Sequence, residues 1–365
     1  MSRQLGWVWF GGRGTKIYCI PSFSNLIEPF GIIDAKSETL AFSSLGLTSG
    51  LSYAWNTGAV VNKKIYCIPS FNTANNQFGI IDTQSEVLTL TAFGLNPAIE
   101  YQWVTAATVD KKIYCIPNRN FAGNQFGIID TESNTLTLTT LGANPAADYR
   151  WATAAVVDKK IYCIPYNAYA NNEFGIIDTE SNTLTLTALG LSGVPEVDDY
   201  TWITSAVVGK KIYCIPYTNS KGNQFGIIDT ESNTLTLTTL GVNTTTLYSW
   251  NTSAVVGKKI YCIPQRVDAN NESLDNDGKN QFAIIDTESN TSTLTALGVN
   301  PAVDYFWSAS AVVDKKIYCI PQLNNGGNQF GIIDTESNTL TLTTLGANPA
   351  VIYWWGASAV VAPDS

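Results

Sequence analysis

Four kinds of apolar run recur along the chain in a fixed order. The first, "TSAVV" or "TAAVV" shortly after a tryptophan, is built of small and β-branched residues. The second, "IYCI", is apolar at every position, and the third, "FGIID" or once "FAIID", is nearly as continuous. The fourth, "TLTLTTL", alternates leucine with threonine. Each run is short, rich in β-branched or aromatic residues and bounded by Gly, Pro, Asn or Asp, which predicts a strand in every case. We label these strands A, B, C and D. Between A and B, "VVDKK" or "VVGKK" is a two-residue hairpin signal; between C and D, "DTESNT" offers Asp and Asn side chains to a tight turn. No helical period interrupts the pattern.

The pattern has a step. Cys19, Cys67, Cys115, Cys163, Cys214, Cys262 and Cys319 are separated by 48, 48, 48, 51, 48 and 57 residues. Asp34, Asp82, Asp130, Asp178, Asp229, Asp286 and Asp334 keep the same step, and a tryptophan stands twelve residues before every cysteine. Four antiparallel strands in a unit of about 48 residues, repeated seven times, predict an all-β, seven-bladed β-propeller of four-stranded antiparallel blades. A B strand apolar on both faces suits a blade covered by a neighbour on each side, and an alternating D suits a half-exposed outer edge. The small residues of A suit the crowded axis, so the order outward is A, B, C, D.

Seven B-C-D sets accompany eight Trp-plus-A segments, because "WVWFGGRG" from Trp7 and "WGASAVVA" from Trp355 occupy equivalent places. Gly11, Gly12 and Gly14 weaken the first copy as a strand. Residues 355 to 362 are therefore expected to close the ring as the innermost strand of the first blade, leaving residues 1 to 14 as an N-terminal arm. The expectation is one domain over residues 1–365, with blades at 15–45 plus 355–362, 54–94, 102–142, 150–190, 201–241, 249–298 and 306–346.

Charge and composition narrow the chemistry. The net charge is -9 and no basic cluster occurs beyond the Lys-Lys pairs, so nucleic acid is not an expected partner. No apolar run approaches the ~18 residues of a membrane span, and the start lacks a signal-peptide core; a cytoplasmic monomer without membrane association is expected. With no histidine, His-based triads, zinc sites and acid/base work are unavailable. The cysteines lack Cys-x-x-Cys spacing and belong to different blades, which reads them as small buried hydrophobes. Stacked sheets lie about 10 Å apart, beyond the roughly 7 Å that a disulfide spans between Cα atoms. Seven free thiols fit a reducing compartment. Each strand-C aspartate is expected to cap its own hairpin rather than join a catalytic ring. The Lys pairs share a face with the "DTES" carboxylates, which predicts mutual neutralisation rather than an anion site. In "SLDNDGKN", residues 273 to 280, the spacing of Asp275, Asp277 and Gly278 is like that of a calcium loop. Ile284 falls where such a loop needs its glutamate, so a solvated insertion is expected. No catalysis, cofactor or metal is expected.

The unit "KIYCIP…QFGIIDTESNTLTLTTLG", preceded by "AVV-D/G-K", resembles the kelch repeat, and "IIDTESNTL" is similar to the "VIDTATNTV" of the YVTN propeller repeat. Here Ile-Pro replaces the kelch double glycine, and a leucine such as Leu136 replaces the kelch tryptophan. The resemblance implies a propeller used as a binding platform and often closed by a C-terminal A strand. "DTESNTLTLTTLG" is identical from Asp130, Asp229 and Asp334, which points to amplification of one blade.

Length variation falls on one face, that of the B-C and D-A loops. Three extra residues lie in "LSGVPEVDDYTW" and nine in "QRVDANNESLDNDGKNQF". A rigid scaffold that varies in the loops of one face suggests a binding surface. Tyr-x-Trp pairs enter strand A on this face, giving Tyr101, Trp103, Tyr149, Trp151, Tyr200, Trp202, Tyr248, Trp250, Tyr305 and Trp307 as candidate ligand contacts, with Arg266 and Asp268 from the longest loop. Such rings could stack on sugars or seat a peptide, but repeated aromatics of this kind more often wedge between blades. The functional reading is a non-catalytic scaffold for a protein or peptide. Its alternatives are a multivalent carbohydrate-binding lectin and a recently amplified or engineered propeller with no selected ligand.

Overall fold

The computed structural model describes residues 14–22, 30–46, 54–70, 77–96, 99, 101–118, 124–144, 147, 149–166, 173–188, 201–217, 224–242, 248–264, 266–267, 281–297, 305–322, 329–347 and 353–363. Seven antiparallel sheets form a ring, and no helix occurs among the described residues. In the third blade the strands are Trp103–Val109, Lys112–Pro117, Phe126–Asp130 and Thr135–Thr139, in that order outward. The other blades repeat this order. The seventh carries one addition, the two-residue strand Arg266–Val267 from blade six, which pairs with the start of Tyr305–Val313.

The two ends of the chain meet in blade one. Its innermost strand is Trp355–Val361, paired with Lys16–Pro21 in the register Lys16↔Val361, Tyr18↔Ala359 and Cys19↔Ser358. Trp355–Val361 packs between the inner strands Tyr305–Val313 and Trp55–Val61, so the C-terminal strand closes the ring. Residues 1–13 of the expected arm lie outside the described residues.

The continuous apolarity of "IYCI" follows from the two seams that every blade serves. Ile113 and Cys115 face blade two, joining Tyr66, Ile68 and Phe78 in one core. Tyr114 and Ile116, one residue out of phase, face blade four with Trp151, Ile161 and Cys163. All four residues are fully buried, and burial of side chains of this size contributes roughly 1.5–3 kcal/mol each. The D strands are exposed at Thr135 and half-buried at Leu136, as the alternation predicts.

Turn chemistry matches the residues supplied. The A-B hairpins begin with a residue in the left-handed region, at Asn62 (φ 48°), Asp110 (φ 54°) and Gly209 (φ 60°), residue types that adopt positive φ readily. In the C-D hairpins Asp130 Oδ1 accepts from the main-chain N–H groups of Glu132 (3.0 Å) and Ser133 (2.9 Å), and the other six aspartates do the same.

Two polar devices cross the seams. The Tyr114 hydroxyl donates to Asn182 Oδ1 of the next blade at 3.0 Å, and Tyr162–Asn233, Tyr213–Asn290 and Tyr261–Asn338 repeat the contact. Near the axis, a strand-A threonine meets the serine of the next strand A in Thr153–Ser205 (3.3 Å), Thr204–Ser253 (3.4 Å) and Thr252–Ser310 (3.0 Å). Thr57 and Thr105 have Ala106 and Ala154 at the serine position, and their buried hydroxyls have no partner among the described residues.

Candidate functional site

The tryptophan that opens each strand A is set by a β-bulge. Pairing shifts register between Trp103 and Thr105, a device that re-aims a side chain. The indole turns into the seam, where Trp103 Nε1 donates to the Gln125 carbonyl at 2.9 Å. Trp151 lies 4.9 Å from Tyr149, nearly parallel at 4°, and 5.3 Å from Phe126 of the preceding blade. On the side facing its own strand C the approach is close: a Cβ at Gly127 would come within 3.0 Å of Trp103 Cζ2. Blade six has Ala283 at that position, fully buried, so one methyl can be accommodated there.

The described rings among the candidate contacts are therefore seam groups. Tyr101, Trp103, Tyr149, Trp151, Trp202, Tyr248, Trp250 and Trp307 are all buried, with no open face toward the axis or the mouth. Stacking between blades accounts for these rings, because residues two apart on a strand share a face and both faces of strand A belong to seams. Tyr200 and Asp268 lie outside the described residues. Arg266 and Tyr305 contribute main chain to the Arg266–Val267 pairing. The segment 273–280 also lies outside the described residues.

The residue between each Tyr and Trp is more exposed than the tryptophan that follows it in every blade but the second, where Ala54 is buried as well. Its identity changes from blade to blade: Ala54, Gln102, Arg150, Thr201, Ser249, Phe306 and Trp354. Facing it is the residue just after each strand-B proline, which changes likewise: Ser22, Ser70, Asn118, Tyr166, Tyr217 and Gln322 among the described residues. One main-chain hydrogen bond couples each such pair. Ser22 N donates to Trp354 O (2.7 Å), Asn118 N to Gln102 O (2.9 Å), Tyr217 N to Thr201 O (2.8 Å) and Gln322 N to Phe306 O (2.9 Å), with Tyr166 N–Arg150 O and Ser70 N–Ala54 O alike. Arg150, Tyr166, Tyr217 and Phe306 are half-buried and Trp354 is exposed. The signal for these positions was present in the sequence: the middle of Tyr-x-Trp varies between flanks that do not.

The opposite face is charged and largely self-neutralised. Lys111–Glu132, Lys258–Glu288 and Lys315–Glu336 are in contact within their blades, and Lys159–Glu180 lie 3.1 Å apart. The main-chain N–H groups that each strand-C aspartate accepts hold its carboxyl below the ordinary 3.8. That is the opposite of the raised value a general acid requires. The seven cysteines are buried without disulfide partners, and burial pushes their thiols up, away from the reactive thiolate. No group of three or more His, Cys, Asp or Glu able to hold a metal occurs among the described residues. No helix there is long and apolar enough to cross a membrane.

With this geometry the chain is similar to solved propellers. It matches hydrazine synthase from Kuenenia stuttgartiensis with a TM-score of 0.53, 13% identity, and 80% and 79% of the two chains covered. Apo AztD from Citrobacter koseri matches with a TM-score of 0.52 and 10% identity over 95% and 98% of the chains. A chain of the mitotic checkpoint complex matches with a TM-score of 0.54 and 11% identity over 93% and 86%. At these identities the likeness is one of fold. No family model matches the chain, and no curated protein matches it.

Proposed function

We propose that the protein is a non-catalytic propeller of kelch-like or YVTN-like kinship that binds a protein or peptide on the face carrying the B-C and D-A loops. The observation that carries this reading is the collection of blade-to-blade differences at the mouth. Two positions per blade at the mouth differ around the ring, each described pair is coupled by a main-chain hydrogen bond, and together they offer Arg150, Tyr166, Tyr217, Phe306 and Trp354. Tyr, Trp and Arg are the side chains that dominate protein interfaces, because they combine large apolar area with a polar handle. Seven buried, unpaired thiols fit a reducing, cytoplasmic setting.

The test replaces these five residues with those of blade two, which has Ala54 and Ser70 in their places: Arg150→Ala, Tyr166→Ser, Tyr217→Ser, Phe306→Ala and Trp354→Ala. A peptide library is selected on the immobilised protein and on the variant. Peptides enriched on the first and lost on the second, with unchanged thermal unfolding, support the reading. Equal enrichment on both removes the mouth as the binding surface, and multivalent glycan binding competed by one free sugar replaces this reading with the lectin.

A further inference from the structure

Granting the mouth as the binding surface, we propose that its partner is a cationic segment, an extended peptide rich in lysine or arginine, and that it seats on the sector formed by blades four to seven. The two faces of the ring differ in charge. The A-B and C-D hairpins, with the strand ends beside them, carry seventeen acidic residues and fourteen lysines. Pairs such as Lys111–Glu132 and Lys258–Glu288 neutralise one another there. The B-C and D-A segments, with their strand ends, carry twelve acidic residues and five basic ones, Arg150 included. Most of the net charge of -9 therefore belongs to the mouth face.

The excess is concentrated where the repeat is lengthened. Three of the twelve carboxylates stand in "PEVDD", between blades four and five, and four in "VDANNESLDND" of blade six. The interiors of both insertions lie outside the described residues, but the strands they join end on this face, at Ala188 and Trp202 for the first and at Val267 and Phe282 for the second. A face of one sign attracts partners of the other over about a Debye length and speeds their encounter.

The described backbone singles out the same sector. Trp202 N of blade five donates to Tyr166 O of blade four at 3.2 Å, Tyr217 of blade five bridges to Ser249 of blade six, and Arg266 of blade six pairs with Phe306 of blade seven. Each crossing fixes the main chain of a half-buried ring, Tyr166, Tyr217 or Phe306, from two blades. In blades one and two the place of Tyr166 and Tyr217 is taken by Ser22 and Ser70. Rings on a fixed backbone lose little freedom on binding. Lysine and arginine suit them, because their apolar stems lie along a ring while the cation is drawn to its face.

The experiment titrates a labelled arginine–glycine repeat peptide into the full chain, followed by fluorescence anisotropy, beside a glutamate–glycine peptide. Saturable binding of the first only is expected, weakening about threefold or more as salt rises to physiological strength. A loop variant, Glu196→Gln, Asp198→Asn, Asp199→Asn, Asp268→Asn and Glu272→Gln, should weaken binding about tenfold. A hairpin variant, Glu132→Gln, Glu180→Gln, Glu231→Gln, Glu288→Gln and Glu336→Gln, removes as many charges from the opposite face and should leave affinity within about twofold. A ring variant, Tyr166→Ser, Tyr217→Ser and Phe306→Ala, should also weaken binding about tenfold. Thermal unfolding checks that all three fold. No saturable binding of the arginine peptide, equal weakening by the loop and hairpin variants, or undiminished binding by the ring variant overturns the proposal. Peptides selected at the mouth that carry no positive charge overturn it too while leaving the mouth as the binding surface.

Discussion

Trp354 and Trp355 are neighbours with the same side chain, yet Trp354 is 37% exposed at the mouth and Trp355 is fully buried in the seam that closes the ring. The contrast holds around the molecule. Every blade places a tryptophan in its seam, and every blade carries a different residue immediately before it. Near-identical repeats thus act as an internal experiment on this pair of neighbours: the ring that fills the seam is kept in every blade, whereas the residue before it is released from that constraint. Whether release means a partner or only freedom is what the mouth variant decides.

The largest effect should come from breaking this contrast at its sharpest point. Trp355 lies 4.8 Å from Tyr353 and 5.6 Å from Phe330 of blade seven, so its indole joins the two ends of the chain as well as two blades. Trp355→Ala should destabilise by about 3–5 kcal/mol in urea unfolding. Trp354→Ala should stay within about 0.5 kcal/mol of the wild type. Similar losses at both positions would show that the mouth residues are structural after all.

A second, smaller effect tests how tightly the seam is filled. At Gly127 a Cβ would lie 3.0 Å from Trp103 Cζ2, while blade six accepts Ala283 against Trp250. Gly127→Val should therefore lower stability by about 1–3 kcal/mol through overpacking, and Gly127→Ala by less. Thermal unfolding of the pair measures the tolerance, and an unperturbed valine variant would mean that the indole has room to move.

The polar seam contacts give a third comparison. Tyr114→Phe removes a hydroxyl bonded to Asn182 at 3.0 Å and should cost about 1 kcal/mol. Tyr18→Phe removes a hydroxyl that has no partner among the described residues, and should be neutral or slightly stabilising. Equal losses in urea unfolding would argue that the Tyr–Asn contact adds nothing.

Much of this architecture was legible in the residues, and for definite reasons. A repeat written seven times reveals its own strand boundaries, and the glycines at Gly11, Gly12 and Gly14 disqualified the N-terminal candidate for the closing strand. The aspartate caps and lysine–glutamate pairs followed from turn chemistry and from which hairpins share a face. Ring burial was harder to read. Period-2 alternation assigns Tyr101 and Trp103 to one face and Gln102 to the other, but in a propeller both faces of strand A meet a neighbour, so alternation alone does not say which group stays in solvent. The bulge at Trp103 decides that, and it is a feature of three dimensions.

The smallest expected effect concerns the hydroxyls near the axis, where the repeat itself supplies the design. Thr153, Thr204 and Thr252 each meet a serine of the next strand A, whereas Thr57 meets Ala106 and is left without a partner among the described residues. Ala106→Ser should supply that partner and stabilise by about 0.5–1 kcal/mol, the net worth of one neutral hydrogen bond. The gain depends on both groups: with Thr57→Val the added serine hydroxyl would be buried without its acceptor, and the same substitution should then be neutral or destabilising. A double-mutant cycle in urea isolates the coupling. Coupling near zero would mean that the Thr–Ser contacts elsewhere in the ring accompany the packing of strand A without contributing to it.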